Sequence, residues 1–136
     1  MKHLRKYNES KSDNQEIFDD LMDCFVDLID NDLEFDEKEH LSFNYKNNKK
    51  SFGEINETDE LKEIVLSIGY KQLEIKEEFE NNCLDDNIEY FKTITIFLEE
   101  IKTAINRFNS MHNLYYKIDY SEIYSLNGYI TINFYL

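Results

Sequence analysis

EIYSLNGYITINFYL, residues 122–136, is the stretch on which the fold class turns. Asn127-Gly128 is the pair preferred in a type I′ turn, whose two central residues both need φ > 0. A two-residue loop at that pair predicts a C-terminal β-hairpin in which Leu126 faces Tyr129 and Ile123 faces Ile132. Side chains alternate along a strand, so Ile123, Ile130, Ile132 and Phe134 would share one face. Tyr120, Tyr124, Tyr129 and Tyr135 would share the other. The aliphatic face of such a hairpin needs a cover, and the chain upstream offers helices to supply it.

Working outward, DDNIEYFKTITIFLEEIKTAINRFNS, residues 85–110, reads as the longest helix, capped near Asp85 or Asp86. Ile88, Phe91, Leu98, Ile101, Ile105 and Phe108 fall on one side of it, and Ile94, Phe97 and Ala104 widen that stripe. An earlier helix is predicted over residues 14–30, where Ile17, Leu21, Cys24, Phe25 and Leu28 recur at helical spacing. Ser12 or Asp13, with Gln15 or Glu16 three residues on, forms its capping box. After Asn31-Asp32 the period changes: Leu33 and Phe35, then Leu41, Phe43 and Tyr45, alternate with polar residues and predict two short strands. NNKKSFG, residues 47–53, reads as a polar loop. Thr58 or Asp59 then caps a short helix built on Leu61, Ile64, Val65 and Ile68 and ending near Gly69. Residues 70–79 fit a strand or a helix equally well.

These elements predict one α+β domain over residues 1–136, with two or three helices packed on one face of an antiparallel sheet that includes the C-terminal β-hairpin. Two topologies stay open. One is ferredoxin-like; the other is a duplicated α-β-β unit, because residues 14–45 and 86–136 both read as a helix followed by a strand pair. The length suits one core, and 41% hydrophobic with 15% aromatic residues supplies its material despite the heavy charge. Proline is absent and glycine occurs three times, so linker-like punctuation is missing. No apolar run of about 18 residues is present, and MKHLRKYNES has a basic start without the apolar segment of a secretory signal, which predicts a cytoplasmic protein. Cys24 and Cys83 show no C-x-x-C spacing; Cys24 reads as a reduced core thiol, and a disulfide stays open.

Charge is the feature that bears on function. The net charge of −14 is concentrated: residues 12–36 hold ten acids and no base, residues 1–11 sum to +3, and residues 91–136 balance at zero. Within the first helix, Glu16, Asp20, Asp23, Asp27 and Asp30 fall in one narrow strip opposite the apolar face, about 5.4 Å per turn apart. Like charges one turn apart are destabilising by a few tenths of a kcal/mol per pair. One reading is a solvated face that keeps the protein soluble. The sharper reading is an electrostatic docking surface for a basic protein, in which a row of carboxylates imitates a run of phosphates. The same field repels nucleic acid and anionic lipid, so direct binding to either is not expected.

Other chemistries lack their motifs. Asp30, Asp32 and Glu34 begin a calcium-loop pattern that fails at Phe35, where the glycine belongs, and at Leu41, where the bidentate glutamate belongs. His3, His40 and His112 have no ligand spacing, so no metal or other cofactor is expected. Phosphate-cradling glycine loops, G-x-S-x-G and H-E-x-x-H are absent, so no catalytic residue is assigned and a non-enzymatic role is predicted. The tyrosine face of Tyr120, Tyr124, Tyr129 and Tyr135 has the chemistry of a stacking platform, but Lys117 is its only basic neighbour. A protein interface, including self-association through the C-terminal sheet, suits it better than RNA.

MKHLRKYNES, basic and then polar, resembles the short leaders of many small proteins of large tailed bacteriophages, and the Asn, Lys, Ile and Tyr bias without proline is similar to their AT-rich coding. The resemblance covers those ten residues and the composition, and it carries over no site residue. It implies a phage origin, and in those phages a leader of this kind can mark proteins packaged into the head. Joined to the base-free acidic segment 12–36, it gives as the leading expectation a phage-encoded inhibitor acting in the bacterial cytoplasm, docked on the basic, nucleic-acid-binding surface of a host protein. The alternatives are a virion or assembly protein, which would place the chain in the phage particle, and an immunity protein or antitoxin against a basic toxin.

Overall fold

The computed structural model describes residues 13–70, 84–123 and 128–136. In chain order these form α1 (Asp13–Asn31), α2 (Glu37–His40), β1 (Leu41–Tyr45), β2 (Lys50–Phe52), β3 (Leu61–Gly69), α3 (Leu84–His112), β4 (Tyr115–Asp119) and β5 (Tyr129–Tyr135). The five strands make one sheet in the order β2-β1-β3-β5-β4, and every neighbouring pair is antiparallel. The α+β class and the antiparallel sheet expected from the sequence are therefore present.

One face of the sheet is the core. Registers such as Phe43↔Ile64, Ile64↔Phe134 and Leu66↔Ile132 line up aliphatic and aromatic side chains across the central strands, and Phe43, Ile64, Leu66, Ile132 and Phe134 are fully buried. Leu21, Cys24, Phe25 and Leu28 of α1 pack down onto this layer. So do Tyr90, Ile94, Phe97, Ile101, Ala104, Ile105 and Phe108 of α3. Phe134 meets rings from both helices, Phe25 at 6.3 Å and Phe108 at 5.0 Å, in the edge-on geometry that the aromatic quadrupole favours. The opposite face of the sheet is polar: Glu63 accepts hydrogen bonds from Asn44 and Asn133 on the two flanking strands, and Ser67 pairs with Thr131 at 2.9 Å.

Several local readings are overturned, each for an identifiable reason. Leu33 and Phe35 form no strand: the chain turns after α1, with the Phe35 amide donating to the Asp32 carbonyl, and Asp36 caps α2 by accepting from the Lys38 amide. The presumed polar loop contains β2, a three-residue edge strand. Residues 61–69 are the central strand β3, and not a short helix. Ile64, Leu66 and Ile68 are the buried set, a period of two, and Asn56 Oδ1 accepts from both Thr58 N and Thr58 Oγ1 in an Asx turn that leads into the strand. At the start of α3, Tyr90 is buried while Ile88 and Phe91 stay 44% and 47% exposed. Asp85 and Asp86 lie in the first turn of α3, which begins at Leu84. Residues 71–80, the leader and Ser12 lie outside the described residues.

The hairpin register is the largest correction. The strand that pairs with β5 is β4, with Tyr115↔Tyr135 and Ile118↔Ile132, so the connection runs through residues 120–128 and no two-residue turn joins the strands. Ile123 does not face Ile132. It is instead tucked into the core from the connection, its carbonyl accepting a hydrogen bond from the Tyr70 hydroxyl. Gly128 does have φ +42°, but its other duty is to let Tyr70 approach: a Cβ there would meet the Tyr70 ring at 2.8 Å. The finer topologies also fail. A ferredoxin-like chain alternates β-α-β-β-α-β, whereas here three strands follow one another between the long helices. Nor are the halves equivalent, since among the described residues the strand after α1 and α2 is internal and the strand after α3 is at an edge.

Candidate docking groove between the two long helices

The acidic strip of α1 lies beside α3. Its members separate into different environments according to which way the helix turn points them. Asp20 faces the seam, where its Oδ2 pairs with His112 Nε2 of α3 at 2.7 Å, the two side chains only 21% and 13% exposed. Glu16 is half-buried and has an interaction of its own, while Asp23, Asp27 and Asp30 are exposed. Further along the seam from the Asp20–His112 pair, a groove of about 580 Å³ lies between residues of the two helices.

The floor of the groove is apolar, from Cys24 and Leu28 of α1 and Ala104 of α3. Its rim carries Asp27 and Asp30 on one side and Glu99 and Glu100 on the other, with Arg107 as the one basic residue in the lining among the described residues. The small side chains of Cys24 and Ala104 leave the space that the groove occupies, and the 56% exposed Ile96 extends its floor as an apolar ledge. Burial pushes the Cys24 thiol above its ordinary range; Asp20 and Asp23 push the same way and Arg107 opposes them. A thiol held protonated is a packing group and a poor nucleophile. The arrangement can hold an apolar side chain flanked by cationic groups.

Glu99 and Glu100 were not among the residues singled out by the strip. Their signal was an adjacent acid pair in a long helix, which carries no partner information until α3 is laid against α1. Conversely, Glu16, Asp20 and Asp23 do not line the groove.

The tyrosine residues are dispersed in a comparable way. Tyr129 and Tyr135 lie on the polar face of β5, Tyr120 follows the end of β4 with 51% exposure, and Tyr124 lies outside the described residues. The platform gains a residue that the hairpin register had hidden: Tyr115 pairs with Tyr135 across the strands, with ring centroids 5.8 Å apart. A second recess, of about 600 Å³, lies where Ser67, Gly69 and Tyr129 meet the α1–α2 connection. Its Asp32 is occupied structurally, accepting from the Gly69 and Glu34 amides at 2.8 and 3.1 Å. Among the described residues, no group of three or more His, Cys, Asp or Glu side chains is placed to hold a metal ion, and no helix is long and apolar enough to cross a membrane.

Comparison of the chain with protein-family models, with curated proteins and with solved structures finds no match.

Proposed function

We propose that the protein is a non-enzymatic acidic binding module that docks on a basic surface of a partner protein through the α1–α3 groove. The observation that carries this reading is the lining itself: four carboxylates, Asp27, Asp30, Glu99 and Glu100, stand around an apolar floor with Arg107 as the one counter-charge among the described residues. Charges at the rim of an interface steer encounter and select the partner, while a desolvated apolar centre holds it. A surface that normally receives nucleic acid has the complementary charge. The phage-encoded inhibitor of a nucleic-acid-handling host protein is the form of this reading that the leader and composition favour.

The test is capture of partners by the tagged full chain at low and high salt, repeated with D27N/D30N/E99Q/E100Q and with heparin as competitor. A basic protein held at low salt, released by salt and heparin, and lost with the fourfold variant is the expected result. Retention of the same partner by the fourfold variant would sink the proposal.

A further inference from the structure

We infer that the exposed edge of β4 is a self-association surface, on which a second copy of this chain adds its own β4 in antiparallel, two-fold register centred on Ile118. This inference is independent of the groove, which lies on the helical side of the molecule.

The two edges of the sheet differ. At the β2 edge the strand is three residues long, α2 packs against it, and Lys50 lies over the Phe52 ring at 5.0 Å. Short strands, lysines and a covering helix are the usual devices that stop an edge from recruiting another chain. The β4 edge is five residues long, and β4 has β5 as its one strand neighbour among the described residues. Tyr115 is 65% exposed, Tyr116 39% and Tyr120 51%, an aromatic surface of the kind enriched where proteins meet. The strand carries two charges, Lys117 and Asp119, two residues apart on the same face.

That spacing selects the occupant. In a two-fold antiparallel pair that keeps both polar faces on one side, centring on Lys117 would oppose Lys117 to itself, and centring on Asp119 would oppose Asp119 to itself. Centring on Ile118 places Lys117 against the second copy's Asp119, and the reverse, while Tyr116 comes opposite Tyr120, the residue that follows the strand. Both charges are then matched by the chain itself, and a closed dimer results. The location also suits a molecule of net charge −14. Two copies repel each other over most of their surfaces, and residues 113–121 are a stretch with no net charge.

The test is sedimentation of the full chain from micromolar to millimolar concentration at fixed, moderate salt, with D119K, K117D and the exchange variant K117D/D119K. Wild type should shift with concentration from 16.5 kDa toward twice that mass. Each single reversal should lower the association constant by tenfold or more, and the exchange should restore it. D119K is the sharper single variant, because it reduces the overall net charge and would promote association if only global repulsion mattered. A chain that stays at 16.5 kDa throughout would overturn the inference. So would a dimer indifferent to both reversals, or one that the exchange fails to restore.

Discussion

The groove and the β4 edge are two surfaces of one small domain, and they are built by different means. The groove is made of side chains: two helices fix the spacing of Asp27, Asp30, Glu99 and Glu100, and its selectivity would come from charge. The edge is made of backbone, a row of amides and carbonyls whose strand carries one base and one acid. Salt should therefore act on them in opposite directions. Screening weakens attraction between the acidic rim and a basic partner, but it relieves repulsion between two copies of a strongly acidic chain, and that repulsion outweighs a single exposed Lys117–Asp119 pair on each side. A molecule whose hetero-association and self-association both weakened with salt would break the comparison.

The largest expected effect comes from the residue that supports both surfaces. Phe134 is fully buried and touches Phe25, Phe108 and Tyr116. Phe134→Ala should lower unfolding stability in urea by about 3–5 kcal/mol and weaken both associations together. Asp32→Ala comes next, because it leaves the buried Gly69 amide without its acceptor at the junction of α1 and β3. A loss of about 1–3 kcal/mol is expected, with the β4 dimer retained; a loss of dimer in a folded D32A protein would show that the two surfaces are coupled.

Smaller still is the effect of D27N/D30N on the free protein. Removing like charges one turn apart near the C-terminal end of a helix should raise stability by a few tenths of a kcal/mol, while partner capture falls. Stability and binding moving the same way would argue that the strip is structural. The last effect is on pH dependence. Burial raises the Cys24 thiol above its ordinary value of 9.0 and the Tyr45 hydroxyl above 10.0. The folded state then holds protons that the unfolded state gives up, so stability should fall as pH rises past those ordinary values. In a C83S variant, Cys24 should react more slowly with a thiol reagent than a free thiol at the same pH, and R107A, which removes the opposing charge, should slow it further.

How much was legible before the fold was known can be argued from particular residues. α1 and α3 were readable because each carries a sustained helical stripe, from Ile17 to Leu28 in the first and from Tyr90 to Phe108 in the second. β3 was not: Leu61, Ile64, Val65 and Ile68 fit a helical template, and only the burial of Ile64, Leu66 and Ile68 between β1 and β5 resolves the period. Of the Asn127-Gly128 turn signal, Gly128 does take a positive φ, yet it sits against the Tyr70 ring and not in a two-residue hairpin turn, while Asn127 lies outside the described residues. At the groove, the α1 acids were visible as a strip, and their separation into a His112 partner and a groove rim was not.

What the chain alone determined was the class of the molecule: two amphipathic helices, strands rich in isoleucine and aromatics, and acidity concentrated in one helix. These are local properties, written in periodicity and composition. What the tertiary structure decided was which surfaces exist. Registry between strands, the strand left at an edge, and the acids brought together across α1 and α3 all depend on contacts between residues distant in sequence. Local propensity contributes only tenths of a kcal/mol per residue to such choices, whereas burying a Phe134 or a Tyr70 contributes several-fold more, and so it is packing that settles them.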